Sequence, residues 1–222
     1  MRFTVGLIDE EDKDLRAIRM TIKENTPSGK EEPDFISYDL SGSSETIQEN
    51  LSAQVISDIV NEAICGLIVD YKILLPSTAL IEGSEIFDFI HKHVPEFPVV
   101  ILTNLPEACF EKDFIDADKV YEKTYFFRLE EDYSKQKTFS LFRNMKRYVD
   151  ARNGLELKHS ALLNEIRKTG LNADLIGSLM QTETALSNYK PLETTQIERA
   201  YDPSKIEEVI RLLREADSLL EE

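Results

Sequence analysis

Cysteine is scarce in this chain, and long apolar runs are missing. Cys65 and Cys109, the two cysteines among 222 residues, lie far apart between apolar neighbours, as buried free thiols do. No apolar stretch approaches the roughly 20 residues of a membrane-spanning helix. The N-terminal residues also lack the basic and apolar segments of a secretion signal. We therefore expect a cytoplasmic protein without a membrane partner.

Positive charge is also in short supply. The chain has 26 Lys and Arg against 42 Asp and Glu, a formal net charge of -16. Such a chain repels the phosphate backbone of DNA or RNA unless its basic residues are concentrated on one face. The most basic stretch, residues 135–152, alternates with aromatic residues in the manner of an amphipathic helix. The charge therefore argues against a nucleic-acid partner.

A glycine-rich phosphate loop is missing as well. A doubly wound enzyme with a nucleotide cofactor needs such a loop after its first strand. In this chain the carboxylates of Asp9, Glu10 and Glu11 stand there instead. This class of enzyme is therefore disfavoured.

Strand-like and helix-like segments alternate through the first 130 residues. Strands are predicted at 2–8, 35–38, 65–70, 98–103 and 118–122. Helices are predicted at 12–20, 45–62, 84–93 and 106–116. This alternation predicts an α/β fold with a parallel sheet, helices on both faces and right-handed crossovers.

Four of the strand-like runs end at a residue that can take part in phosphoryl chemistry. The four sets are Asp9 with Glu10 after 5–8, Asp70 after 66–69, Thr103 after 99–102 and Lys123 after 118–122. Near-continuous aliphatic runs are typical of buried parallel strands, and ligands gather at the carboxyl ends of such strands. We therefore expect three carboxylates, a hydroxyl and an ammonium to share one crevice.

The expected crevice has the chemistry of a phosphoryl acceptor. Three close carboxylates suit Mg²⁺, and without a cation their repulsion raises at least one pKa. The Asp70 carboxylate is a nucleophile toward phosphorus when a metal neutralises the phosphoryl oxygens. Thr103 and Lys123 can then bind those oxygens. Each residue alone also has an ordinary explanation, such as an acidic helical turn, a loop aspartate, a strand-ending threonine or a surface lysine.

The same segments resemble the receiver domain of two-component response regulators. The similar segments are 7–15 with the acidic pair, 67–71 with the phosphoacceptor, 83–86 at a helix start, 98–103 with the switch hydroxyl and 117–123 with the lysine. The resemblance covers roughly residues 1–130. It implies a flavodoxin-like doubly wound sheet of five parallel strands in the order 2-1-3-4-5.

The resemblance also implies a magnesium-dependent phosphoacceptor. Asp70 would take phosphate from a histidine kinase or a phosphotransfer protein, and Thr103 and Lys123 would drive the switch. The implied ligands of Mg²⁺ are Asp9, Glu10, Asp70 and the backbone carbonyl of Lys72. The implied activity is limited to self-catalysed phosphotransfer and dephosphorylation.

Two departures from the family pattern leave a second function open. Asn104 stands where a very small residue is usual, and Thr124 replaces the proline that commonly follows the lysine, so that no cis peptide bond is expected there. In the first function, the protein signals through its tail or serves as a phosphate sink. In the second, a receiver-like adaptor binds partners without turning over phosphate.

Residues 134–222 form the predicted tail. Helices are expected at 134–168, at 172–190 and from Asp202 onward, without a helix-turn-helix pattern or a catalytic set. We expect these helices to form a homodimer or to bind an unknown output protein. His159 invites comparison with a phosphorelay histidine, but a lone helical histidine is more often an ordinary residue.

Overall fold

The computed structural model describes residues 3–26, 29, 31–41, 47–75, 80–170 and 172–191. The described residues up to Lys190 form one compact unit. The helix that we predict from Asp202 onward lies outside the described residues.

A parallel sheet of five strands forms the centre of the fold. The described strands are β1 (Thr4–Ile8), β2 (Asp34–Ser37), β3 (Gly66–Asp70), β4 (Lys72–Leu74), β5 (Leu80–Glu82), β6 (Val99–Thr103) and β7 (Val120–Glu122). Five of them form the sheet in the order β2-β1-β3-β6-β7, with every neighbouring pair parallel. Every residue of β3 and β6 is buried, which explains their aliphatic sequences. The α/β class and the parallel sheet are therefore confirmed.

The observed strand order, 2-1-3-6-7, differs from the predicted 2-1-3-4-5 because an antiparallel hairpin adds two strands to the chain before the fourth strand of the sheet. Strands β4 and β5 pair Lys72 with Glu82 and Leu74 with Leu80 outside the main sheet. They lie between the third and fourth strands of the sheet, where we predicted no strand. With three residues each, these two strands carry too little periodicity to be recognised in this sequence.

Helices cover the sheet. The described helices are α1 (Asp12–Glu24), α2 (Ile47–Val60), α3 (Gly83–His93), α4 (Pro106–Phe110), α5 (Lys123–Phe126), α6 (Asp132–Thr169) and α7 (Ala173–Leu186). The first three bury apolar side chains at helical spacing, for example Ile18 and Ile22 in α1. Helix α4 ends at Phe110, earlier than the predicted 116.

Helix α6 belongs to the core of the α/β unit over its first half. Phe142 and Met145 are fully buried; the Phe142 ring lies 5.8 Å from that of Phe3, and the Met145 Sδ lies 3.8 Å from the Cys65 Sγ. The domain boundary that we predicted at 130–134 stays a prediction. The helix starts there, but its apolar side chains complete the same core.

The second half of α6 pairs with α7 as a helical hairpin, in agreement with the predicted helical region. Nε2 of His159 lies 3.1 Å from Oε1 of Glu183, which joins the two helices. The chain after α7 is held to the α/β unit, because the Tyr148 hydroxyl donates to the Tyr189 carbonyl at 2.7 Å. His159 thus has an ordinary structural contact.

Cys65 and Cys109 are buried and free, as predicted. Of the helices in the described part of the chain, none has both the length and the apolar character for crossing a membrane.

Candidate functional site

Four of the predicted site residues come together at one edge of the sheet. Asp9 follows β1, Asp70 ends β3, Thr103 ends β6 and Lys123 follows β7. The strand order makes these ends neighbours, since β1 pairs with β3, β3 with β6, and β6 with β7. All four residues are buried, with relative exposures of 3%, 8%, 3% and 7% in the same order. Charges at such depth require mutual pairing.

The ammonium of Lys123 lies at the centre of the cluster. Its Nζ is 2.9 Å from Asp9 Oδ2, 2.8 Å from Asp70 Oδ1 and 2.6 Å from Asp14 Oδ2. An ammonium carries three N–H donors, and these carboxylates provide an acceptor for each of them. One lysine therefore links two strand ends and the first turn of α1.

Backbone amides hold the remaining oxygens of the two buried carboxylates. The Glu11 N–H donates to Asp9 Oδ1 at 2.8 Å, and the Lys72 N–H donates to Asp70 Oδ2 at 3.1 Å. Both oxygens of Asp9 and of Asp70 thus have a donor. The two carboxylates are oriented by the local backbone as well as by the lysine.

Thr103 and the two departures from the receiver pattern lie beside this cluster. The Leu105 N–H donates to Thr103 Oγ1 at 2.9 Å, which leaves the hydroxyl proton of Thr103 for another acceptor. The Thr124 hydroxyl donates to Asn104 Oδ1 at 3.3 Å and joins the segment that follows β6 to the start of α5. The peptide bond between Lys123 and Thr124 is trans, as expected.

Two of the predicted magnesium ligands lie differently from Asp9 and Asp70. The Glu10 side chain is exposed and acts on Asp70 through its charge. Lys72 contacts Asp70 through its backbone N–H. Ligation by Glu10 and by the Lys72 carbonyl stays a prediction.

Negative charge is in excess at this site. Burial, with the charges of Asp9 and Glu10, raises the pKa of Asp70 to about 6 against the opposing effect of Lys123. Burial also raises the pKa of Asp9, although the Glu11 amide and Lys123 oppose it. Burial by itself would lower the pKa of Lys123, but its carboxylate partners outweigh burial and raise it. All three shifts follow from several carboxylates sharing one ammonium in a poorly solvated place.

Asp14 is the member of the site that the sequence did not identify. It lies on the first turn of α1, where acidic residues are common because they favour the helix dipole. Its side chain is 15% exposed and makes the shortest of the three contacts to Lys123. Asp14 does not follow a predicted strand, and nothing in the sequence distinguishes it from Asp12 on the same helical turn.

Gly83 allows the start of α3 to approach Asp70. Its N–H donates to the Tyr71 carbonyl at 2.8 Å. A Cβ at position 83 would lie 2.0 Å from the Asp70 carbonyl oxygen and 2.9 Å from the Val69 Cγ2. The glycine that we matched to the receiver pattern therefore has a steric reason in this chain.

The residues present suit a hard divalent cation in chemistry, although their arrangement favours the lysine. Asp9 and Asp70 converge on one point and offer carboxylate oxygens, which Mg²⁺ prefers together with water. The ammonium of Lys123 lies at that point. Within the described residues, no three His, Cys, Asp or Glu side chains are placed as a ready metal site. A cation would therefore need the lysine to give up at least one carboxylate.

Comparison with models of known protein families, with curated proteins and with solved structures gave no match for this chain. Inference about its function therefore depends on the geometry and charge of the site. The strongest of these observations is the convergence of buried Asp70, Thr103 and Lys123 at adjacent strand ends.

Proposed function

We propose that the chain is a receiver-type phosphoacceptor with a flavodoxin-like fold, in which Asp70 accepts a phosphoryl group in a Mg²⁺-dependent reaction. One observation carries the proposal. A buried carboxylate at a central strand end has an ammonium on one side and a buried hydroxyl at the neighbouring strand end. This is the set that an acyl phosphate needs: a nucleophile, a positive charge and a hydrogen-bond donor.

The reaction assigned to Asp70 is phosphoryl transfer from a phosphohistidine of a kinase or phosphotransfer protein. A carboxylate oxygen attacks phosphorus, the O–P bond forms as the P–N bond breaks, and the imidazole leaves with the electron pair and takes up a proton. Both oxygens of Asp70 accept a hydrogen bond, and each keeps a further lone pair for the attack. Lys123 and the Thr103 hydroxyl then bind the new phosphoryl oxygens.

Asp9 and Asp70, with Glu10 and the Lys72 carbonyl as further proposed ligands, would hold the metal. When bound, Mg²⁺ neutralises charge on the phosphoryl oxygens. The excess of carboxylates over ammonium groups supports this requirement, since the site repels a phosphoryl dianion until more positive charge is present.

We propose that the output passes through protein contacts of the helical hairpin, as a homodimer or with another protein. Ile176 and Met180 lie one turn apart on α7 and are 38% and 52% exposed. Exposed apolar side chains at this spacing form a face that a partner helix can cover.

A second candidate is a receiver-like adaptor that binds partners without accepting phosphate. The hydrogen bond between Thr124 and Asn104 favours it, because this bond joins the segment after β6 to the start of α5 beside the acceptor and adds bulk there. Both candidates use the same fold. They differ in whether Asp70 reacts.

Binding of beryllofluoride with Mg²⁺, an acyl-phosphate mimic, separates the two candidates. We expect the wild-type protein to bind it, with Asp70→Asn weakening the affinity by about 100-fold or more because the anionic acceptor is lost. Fluorine NMR and isothermal titration calorimetry measure the complex. Asp174→Asn, which removes an exposed carboxylate from α7, is the matched control and should bind like the wild type. Absence of binding in the wild type, or equal binding by Asp70→Asn, refutes phosphoacceptance and supports the adaptor.

A further inference from the structure

Lys123 has more carboxylate partners than phosphoacceptance requires. A contact to Asp70 would serve that chemistry, yet the ammonium also contacts Asp9 and Asp14. Asp14 differs from the other two because it comes from a helix and not from a strand end. Its side chain is 15% exposed, against 1% for Asp9 and 9% for Asp70, so this contact lies on the outer side of the cluster.

The lysine and a divalent cation would compete for the same oxygens. Lys123 holds one oxygen of Asp9 and one of Asp70, and backbone amides hold the others. An ammonium and a divalent cation at the same carboxylates also repel each other strongly where water is scarce. Metal binding therefore requires a place for the ammonium away from at least one of these carboxylates.

Asp14 offers that place without expelling the lysine from the site. The Asp14 contact, at 2.6 Å, does not involve either of the two buried carboxylates. An ammonium that gives up Asp9 keeps a charge-assisted hydrogen bond to Asp14 and stays close to Asp70. Without Asp14, the same ammonium has only the oxygens that the cation needs.

We infer that Asp14 is a positioning residue that retains Lys123 when a divalent cation takes Asp9, so that the metal and the ammonium occupy the site together. This role rests on the proposed phosphoacceptor function and concerns the metal affinity of the same site. The first turn of α1 thereby contributes to the site in addition to the strand ends.

A double-mutant cycle on Mg²⁺ affinity tests the role of Asp14. We expect Asp14→Asn to weaken Mg²⁺ binding by about tenfold, because the ammonium then stays on Asp9 and Asp70. Asp12→Asn removes the same charge from the same helical turn at an exposed position and should change the affinity by about twofold at most. In a Lys123→Met background, Asp14→Asn should also cost only about twofold, since no ammonium needs holding. Isothermal titration calorimetry measures all five proteins.

The outcomes separate this inference from the proposed function. If Asp14→Asn binds Mg²⁺ like the wild type, or loses as much affinity in the Lys123→Met background, the inference is wrong while beryllofluoride binding still decides phosphoacceptance. If the cycle shows coupling but beryllofluoride does not bind, Asp14 keeps its role and phosphoacceptance fails. Failure of the wild type to bind Mg²⁺ overturns the inference. Lys123→Gln, which keeps a hydrogen-bond donor, replaces Lys123→Met if that variant does not fold.

Discussion

At the scale of the residue, Lys123 determines whether the carboxylates of the site can be buried together. Three carboxylates within 2.9 Å of one ammonium form a buried ion cluster with excess negative charge. In such clusters, removal of one charged side chain lowers the free energy of unfolding by more than the ion pairing contributes to it. The reason is that the remaining charges stay buried without a partner. The raised pKa of Asp70 reflects the same imbalance.

Replacement of this lysine should therefore destabilise the fold in a pH-dependent way. We expect Lys123→Met to lower the free energy of unfolding by about 3 kcal/mol or more at neutral pH. The pKa of Asp70 is about 6, above its ordinary 3.8, so the folded protein binds this proton more tightly than the unfolded chain. Stability from protonated Asp70 is present at low pH and lost as the pH rises through about 6, so the loss caused by Lys123→Met should be smaller near pH 5.

Urea unfolding of both proteins at about pH 7.5 and about pH 5 measures this difference. Lys146→Met is the control, because Lys146 forms an exposed i,i+4 pair with Asp150 and should change stability by less than about 0.5 kcal/mol at either pH. An equal loss for Lys123→Met at both pH values would contradict the charge argument.

At the scale of the element, the contact between α3 and the end of β3 controls the position of Asp70. Helix α3 begins at Gly83, whose backbone lies against the Asp70 carbonyl with no room for a side chain. A displacement of the end of β3 would therefore also displace the start of α3.

Gly83→Ala should push these two elements apart. A methyl group 2.0 Å from a backbone oxygen cannot be accommodated by a rotamer change, so we expect a loss of about 3 kcal/mol in unfolding free energy and weaker beryllofluoride binding. Urea unfolding and calorimetry measure the two effects. Gly154→Ala in α6 is the matched control, since its added Cβ meets nothing within 4 Å and should stabilise the helix by up to about 1 kcal/mol. Equal stability of the Gly83→Ala and wild-type proteins would refute the steric argument.

At the scale of the whole molecule, α6 connects the α/β unit with the helical hairpin. This helix spans 38 residues, and its first half is buried beside the sheet while its second half pairs with α7. A change at the sheet can therefore reach the hairpin through one continuous element.

The proposed homodimer predicts a molar mass of twice 25.5 kDa in light scattering, measured with and without beryllofluoride and Mg²⁺. Met180→Glu should return the protein to a monomer, because it places a charge in the apolar face of α7. Met20→Glu on α1 is a matched control, since Met20 is 56% exposed and Met180 is 52% exposed. A monomer in both states of the wild type would leave the hairpin as a site for another protein and refute the homodimer.

Much of the site could be predicted because strand ends are encoded locally. Aliphatic runs identify buried parallel strands, and in such a sheet their carboxyl ends meet, so Asp9, Asp70, Thr103 and Lys123 could be placed together from the sequence. The short strands of the hairpin could not, because three residues show no clear alternation. The apolar stripe of α6 likewise shows that the helix is covered, but not which residues cover it.

The sequence by itself determined the α/β class, the residue types at the strand ends and the buried free thiols, since these depend on local patterns of apolar residues. Only the tertiary structure decided that Asp14 shares Lys123 and that α6 completes the sheet core. The physical reason is that the partner of a helical side chain depends on how the helix is rotated and packed against the sheet. That packing brings together residues 109 positions apart, as for Asp14 and Lys123.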